Sequence, residues 1–186
     1  IHLSTAYVFD GEKKEAYKET DPTNPIEWYG KTKALAEEAV MKEAKTWTIL
    51  RIDQPFRNDT FPKVDTLHRI IEGMRSGQLY PQFTDHHFGP TYINDFVKII
   101  DLVIRQRLTG LYHASSGESW TDFEFAEMVN KALDLGFEVK AGSLEEYLKT
   151  SNRPYQKNTA LSIAKIRAEL DFELKSVREA IEETVL

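Results

Sequence analysis

Tyr29 and Lys33 are the residues whose types and spacing most clearly allow chemistry. They lie four positions apart in a segment that is predicted to be helical. Their side chains therefore share one helix face, roughly 6 Å apart at the base. An unperturbed phenol ionises near pH ~10, and a neighbouring ammonium group favours the phenolate. Such a tyrosine can protonate a carbonyl oxygen that receives a hydride, or deprotonate an alcohol that loses one.

Tyrosine and lysine also occur four residues apart by chance on helix surfaces, so the context of the pair matters. Thr5 lies in an apolar segment, residues 3 to 9, that is predicted to be a buried strand. In open α/β sheets, functional side chains collect where strands end. A hydroxyl at that place could bind the same substrate oxygen as Tyr29.

The helix that carries the pair has a predicted start in the sequence. Asn24 is a suitable N-cap, Pro25 suits the first helical position, and Glu27 stands where a capping box requires an acid. We expect this helix to run to about Ala44. Its predicted apolar stripe consists of Leu35, Ala36, Ala39 and Val40.

Strand and helix signals alternate along the rest of the chain. Further strands are predicted near residues 46–52, 78–83, 110–114 and 137–140. Further helices are predicted over 64–77, from Asn94 to Ile104, and from Thr121, Ser143, Ser162 and Ser176. This alternation favours an α/β fold with layered helices and strands.

Composition excludes several classes of protein. The 186 residues carry a net charge of -6, which disfavours general nucleic-acid binding. We find no apolar run of membrane-spanning length and no signal peptide pattern, and cysteine is absent. We therefore expect no nucleic-acid or membrane partner and a cytoplasmic location. The chain begins at Ile1 rather than at Met, which suggests a fragment or a processed product.

Two motifs resemble a known family. They are Ser-Thr-x-Tyr-Val-Phe-x-Gly at residues 4–11 and Asn-Pro-x-x-x-Tyr-Gly-Lys-Thr-Lys at residues 24–33. Together they resemble the extended short-chain dehydrogenase/reductases, and within these the RmlD-like dTDP-4-dehydrorhamnose reductase family. The resemblance implies the C-terminal part of a Rossmann-type doubly wound sheet, residues 1–55, and a small α/β substrate-binding domain, mainly residues 56–186. The N-terminal dinucleotide-binding half of that family would be missing.

The resemblance also implies roles for individual residues. It implies an NADPH- or NADH-dependent reductase of a nucleotide-linked 4-keto-6-deoxysugar, and it allows a homodimer. We expect no metal site. The catalytic residues would be Thr5, Tyr29 and Lys33. The cofactor-binding residues would be Ser4, Tyr29, Lys33, Asp53, Gln54 and Pro55. The substrate-binding residues would be Thr5, Tyr7, Gln54 and Arg153.

Three departures from the family pattern stand out. Ala6 replaces the usual aspartate after the threonine, and Gln54 stands where the family often has tryptophan. None of the nine glycines has the spacing of the family's Gly-x-x-Gly-x-x-Gly turn, which cradles the cofactor pyrophosphate. We therefore expect these residues alone to bind dinucleotide poorly.

The sequence is also compatible with two other functions. A nucleotide-sugar epimerase uses the same scaffold, whereas Ala6 and Tyr7 replace the Asp-Glu pair of related dehydratases and argue against dehydration. The regulatory β subunit of methionine adenosyltransferase resembles this branch too, so a non-catalytic binding subunit is the alternative from another class. Residues 85–87, Asp-His-His, are interpreted as a polar loop, because adjacent strand residues point to opposite faces and do not ligate one ion easily.

Overall fold

A computed structural model describes residues 1–59 and 63–184. The strands in this part of the chain are β1 (His2–Thr5), β2 (Thr48–Ile52), β3 (Pro55–Phe56), β4 (Gln82–Phe83), β5 (His87–Phe88), β6 (Thr91–Tyr92), β7 (Gly110–His113), β8 (Trp120–Thr121) and β9 (Ala141–Gly142). The helices are α1 (Trp28–Glu43), α2 (Thr66–Arg75), α3 (Ile93–Gln106), α4 (Asp122–Ala132), α5 (Leu144–Thr150), α6 (Ala164–Arg167) and α7 (Val177–Glu182).

The main sheet is parallel and has the strand order β1-β2-β7. Thr5 pairs with Ile52, and Arg51 pairs with His113. The crossover from β1 to β2 contains α1, and the chain between β2 and β7 contains α3, as parallel pairing requires. Short pairs β3-β6, β4-β9 and β5-β8 extend the structure beyond this sheet. The predicted α/β class is confirmed.

Three apolar clusters hold these elements together. The largest lies under α2, α4 and α7 and includes Phe56, Phe88 and Phe125, each no more than 1% exposed. A second packs α3 and α6 against β2 and β7. A third, which includes Phe9 and Leu161, lies beneath the turn that follows β1. Outside residues 60–62 and 185–186, which are not described, no helix is both long and apolar enough to cross a membrane.

The start and the buried face of α1 differ from the sequence prediction. Glu27, not Asn24, is the N-cap, and Asn24 instead donates to Asp10. The predicted apolar stripe is wrong, because Leu35 is 60% exposed and the buried residues of α1 are Gly30, Ala34 and Glu37. The helix packs against the sheet through small residues and one ion pair. The positions of its apolar side chains therefore do not predict which face is buried.

Other predicted boundaries also need correction. Asn94 does not cap α3, which begins one residue earlier and has no side-chain cap. Residues 137–140 are not a strand, and the pairing with β4 is made by β9 instead. The helix predicted from Ser162 is confined to α6, and α2 begins after the N-cap Asp65. The capping boxes at Thr121 and Ser176 are confirmed.

A buried ion pair joins α1 to the sheet. The Arg51 guanidinium donates to both Glu37 carboxylate oxygens, at 2.8 and 2.6 Å, and both side chains are almost fully buried. Arg51 Nη1 also lies 3.4 Å from His113 Nε2. Because arginine only donates, Nε2 of His113 accepts and its Nδ1–H donates to Tyr17 O at 3.1 Å. The histidine is therefore a neutral core residue.

Candidate active site

The end of β1 presents two hydroxyl groups. Thr5 Oγ1 accepts a hydrogen bond from Tyr7 N at 3.2 Å, at the start of a single 3-10 turn. The hydroxyl proton of Thr5 therefore remains available for another acceptor. Ser4 Oγ is buried and has no hydrogen-bond partner among the described residues. Thr5 was predicted to lie where a strand ends, and it is the last residue of β1. The strand predicted over residues 3 to 9 is too long, because residues 6–8 form the 3-10 turn.

Tyr29 and Lys33 lie on the first turns of α1. Glu27 fixes this end of the helix, since its carboxylate accepts from Tyr29 N at 2.7 Å and from Gly30 N. The Tyr29 side chain is half exposed. Lys33 Nζ donates to Leu3 O at 3.0 Å, so the lysine ties α1 to β1. That Lys33 tunes the acidity of Tyr29 stays a prediction.

Tyr7 stands beside Tyr29 with its ring edge to face, at a centroid distance of 6.1 Å and an interplanar angle of 68°. Burial raises the pKa of the Tyr7 phenol, and Tyr155 and the carboxyl of Asp53 raise it further. The phenol therefore keeps its proton at neutral pH and can donate a hydrogen bond. Tyr155 was not anticipated from the sequence, because it has no motif of its own.

These residues line one cleft of about 300 Å³. Its lining residues are Leu3, Ser4, Thr5, Tyr7, Tyr29, Lys33, Ile52, Gln54 and Pro55. All of the residues predicted for the site contribute to this lining, except Asp53 and Arg153. Side chains from two parallel strands and the crossover helix thus converge on one opening.

Asp53 lies behind the cleft and does not line it. Its Oδ2 accepts from Gly89 N at 2.9 Å and from Thr159 Oγ1 at 2.7 Å, and burial raises the pKa of this carboxyl to about 6. The residue fixes the segment that follows β2. Its predicted contact with the cofactor, through the backbone, stays a prediction.

Arg153 lies at the surface, outside the lining of the cleft. Its positive charge lowers the pKa of Tyr7, against the larger effect of burial. It acts in the same direction on Tyr155. The guanidinium group therefore lies within electrostatic range of both phenols, and its predicted contact with the substrate remains untested.

A second cavity of about 320 Å³ adjoins the first and shares Gln54 and Pro55 with it. Its lining carries three cationic side chains and one acidic one, and consists of Gln54, Pro55, Arg57, Lys63, Val64, Asp65, Thr66, Arg69 and Ile93. Asp65 caps α2 by accepting from His68 N at 3.0 Å. These cations were not anticipated from the sequence, although their grouping around the start of a predicted helix was a usable signal.

Comparison with known proteins identifies the family of this chain. A family model described as RmlD substrate binding domain matches residues 1–186. The dTDP-4-dehydrorhamnose reductase of Aggregatibacter actinomycetemcomitans is 31% identical over 180 residues, which are 90% of this chain and 59% of that protein. The crystal structure of dTDP-4-dehydrorhamnose reductase from Bacillus anthracis str. Ames in complex with NADP has a TM-score of 0.86 and 26% identity, covering 98% of this chain and 63% of that one.

A relative of a different kind is also similar. Methionine adenosyltransferase 2 subunit beta of Danio rerio is 30% identical over 148 residues, which are 73% of this chain and 43% of that protein. The chain belongs to the RmlD substrate binding domain family. It spans about half the length of the curated relatives that it matches.

Proposed function

We propose that this chain is part of an NAD(P)H-dependent reductase that reduces the C4 carbonyl of a nucleotide-linked 4-keto-6-deoxysugar, of the dTDP-4-dehydrorhamnose reductase type. The observation that carries the proposal is the convergence of Thr5, Tyr7, Tyr29 and Lys33 on one cleft. The family and the reductases among its relatives support it.

The residues at the cleft fit a nicotinamide nucleotide. The hydroxyl of Ser4 is buried without a partner, and the Lys33 ammonium has two further donors beyond the one directed at Leu3 O. These groups would hold the hydroxyl-rich ribose. A bound nicotinamide would supply the hydride for the reaction. No glycine-rich turn is present in these residues to bind the pyrophosphate of the cofactor.

Residues of this chain would carry out the proton transfer to the substrate. Thr5 would donate its available hydroxyl proton as a hydrogen bond to the carbonyl oxygen and orient it. Tyr29 would transfer its phenolic proton to that oxygen as the carbonyl carbon gains the hydride, which leaves an alcohol and a tyrosinate. The half-exposed Tyr29 can then regain a proton from water. Lys33, on the same helix face, would stabilise the tyrosinate.

The charged part of the substrate requires cations. The cavity lined by Arg57, Lys63 and Arg69 adjoins the cleft, so a ligand whose sugar lies at Tyr29 would extend its diphosphate toward these side chains. Arginine and lysine are the usual partners of phosphate oxygens. We propose this cavity as the diphosphate site, with Arg153 as an additional contact near Tyr7.

The test uses the gene product that contains these 186 residues. The protein, given NADPH and a dTDP-linked 4-keto-6-deoxysugar, should oxidise NADPH and form one alcohol product. Tyr29→Phe should lower kcat by at least about 100-fold while the sugar nucleotide still binds. Tyr80→Phe, at an exposed tyrosine, is the matched control. An interconversion of sugar isomers without net NADPH consumption would instead indicate an epimerase.

A non-catalytic subunit is the second candidate. Ala6, Gln54 and the similarity to methionine adenosyltransferase 2 subunit beta favour it. In that case the gene product should show no turnover and should co-elute with a purified methionine adenosyltransferase catalytic subunit. These two results together would exclude the proposed reductase activity.

A further inference from the structure

Gln54 has a backbone conformation that is unusual for its residue type. Its φ is +36°, in the left-handed region that residues with a side chain rarely adopt. Such a conformation persists only where the surrounding structure enforces it, and it is common in binding sites. The residue follows β2 directly and lies between the two cavities, lining both of them.

The backbone on either side of Gln54 is held by buried contacts. Before it, Asp53 N donates to Thr91 Oγ1 at 3.1 Å, and Thr91 Oγ1 in turn donates to Asp53 O at 2.7 Å. The carbonyl of Gln54 accepts from Thr91 N at 3.3 Å. After it, Pro55 and Phe56 form β3 and pair with β6. The position of Gln54 is therefore fixed before any ligand arrives.

Its side chain is oriented by a chain of two hydrogen bonds. Arg69 Nη2 donates to Thr66 Oγ1 at 3.2 Å, and Thr66 Oγ1 lies 2.8 Å from Gln54 Oε1. The Thr66 hydroxyl accepts from the guanidinium group and donates its own proton to the amide oxygen of Gln54. The amide nitrogen of Gln54 then points elsewhere, and it donates to no residue within 1–59 or 63–184.

We propose that Gln54 is a specificity-determining residue, whose oriented amide N–H groups donate to a ring oxygen substituent of the sugar that lies between Tyr29 and the cation-lined cavity. This inference rests on the proposed function. The ligand class is a nucleotide-linked 4-keto sugar that keeps a hydroxyl at C2 or C3, in preference to the corresponding deoxy sugar. A site built to hydrogen-bond a hydroxyl discriminates strongly against the analogue that lacks it.

The test compares the 4-keto substrate that carries both ring hydroxyls with its 2-deoxy and 3-deoxy analogues. The wild-type protein should prefer the hydroxylated substrate over at least one analogue by about tenfold or more in kcat/KM, as one net hydrogen bond predicts. Gln54→Met keeps the length of the side chain but removes the donors. It should bring that preference to within about threefold of unity.

Two further variants separate binding from a structural role. Thr66→Val removes the hydroxyl that orients the amide, so the preference should fall part of the way, and Thr66→Ser should restore it. Gln106→Met makes the same replacement at an exposed position at the end of α3 and should leave the preference unchanged. Equal losses on all three substrates in Gln54→Met, or a wild-type protein without any preference, would overturn the inference.

Calorimetric dissociation constants for the same sugar nucleotides distinguish the two possible failures. If the wild-type protein binds them but does not turn them over, the reductase proposal fails and the ratio of dissociation constants decides the role of Gln54. If this ratio approaches one in Gln54→Met, the inference is supported, and an unchanged ratio overturns it. If the wild-type protein binds none of them, both proposals are wrong.

Discussion

Gly30 lies so close to Tyr7 that a Cβ atom built on the glycine would be 2.1 Å from the Tyr7 carbonyl oxygen. The first turn of α1 therefore packs backbone to backbone against the turn that follows β1. The edge-to-face contact between the rings of Tyr7 and Tyr29 spans the same junction. The distance between Thr5 and Tyr29, on which the proposed proton transfer depends, is set by this contact.

Gly30→Ala should therefore lower both stability and activity. The backbone must move to admit the methyl group, and overpacking of this kind costs about 2–3 kcal/mol, more than the ~1 kcal/mol that alanine gains in helix propensity. Urea unfolding and NADPH oxidation measure the two effects. Lys31→Ala, at the exposed neighbouring position, should change stability by less than about 0.5 kcal/mol. Unchanged stability and kcat in Gly30→Ala would contradict the close packing.

The buried pair of Glu37 and Arg51 gives a second prediction. Glu37→Gln should lower the free energy of unfolding by about 3–5 kcal/mol, because it leaves the Arg51 charge buried without a counter-ion. Glu43→Gln breaks an exposed pair with Lys42 on the same helix and should cost less than about 1 kcal/mol. Denaturant unfolding measures both. Similar costs for the two variants would show that burial adds nothing to the inner pair.

His113 predicts a dependence of stability on pH. Burial, and then the charge of Arg51, lowers the pKa of this histidine from 6.5 to about 3. Between these values the folded protein binds fewer protons than the unfolded chain. The contribution of His113 to the free energy of unfolding is therefore complete above about pH 6.5 and is lost as the pH falls toward about 3.

The variant His113→Gln isolates this effect. The free energy of unfolding of the wild-type protein, measured from pH 7 down to pH 4, should fall more steeply than that of the variant. The difference between the two slopes should correspond to the uptake of about one proton on unfolding. His87→Gln replaces an exposed histidine and should keep the wild-type slope. Parallel curves for wild type and His113→Gln would show that His113 already titrates normally in the folded state.

Lys63 tests the proposed diphosphate site. Lys63→Gln removes one of the cations of that cavity, so KM for the sugar nucleotide should rise about tenfold with a smaller change in kcat, as expected for a lost charge-assisted hydrogen bond. The effect should shrink as salt is added. Lys131→Gln, on the exposed face of α4, should leave KM unchanged. An equal KM in both variants would place the diphosphate elsewhere.

Much of the site could be predicted because its signals are local. Thr5 at a strand end, and Tyr29 and Lys33 one helical turn apart, follow from chain periodicity and from a motif of contiguous residues. The capping boxes at Thr121 and Ser176 are local in the same way, since both partners lie within one turn. Such features depend little on what packs around them.

The errors concern features that depend on distant parts of the chain. Asn24 was assigned as the cap because it precedes Pro25, yet it donates to Asp10, which lies 14 positions earlier. The inner face of α1 was placed on Leu35, because nothing local shows that Glu37 would be buried by Arg51. The sequence predicts a polar loop at His86, but the residue is buried and its Nδ1 lies 2.6 Å from Oδ2 of Asp122, 36 positions later.

The carboxylate of Glu27 has a consequence for how a ligand can enter. Helix N-termini attract anions through their vacant amide groups, but here two of these amides already bind Glu27. These two amides are therefore not available to a phosphate beside Tyr29, whereas the adjoining cavity at α2 is lined by three cationic side chains. A sugar nucleotide would therefore bind in one orientation, with its uncharged ring beside Tyr29 and its diphosphate in the cation-lined cavity.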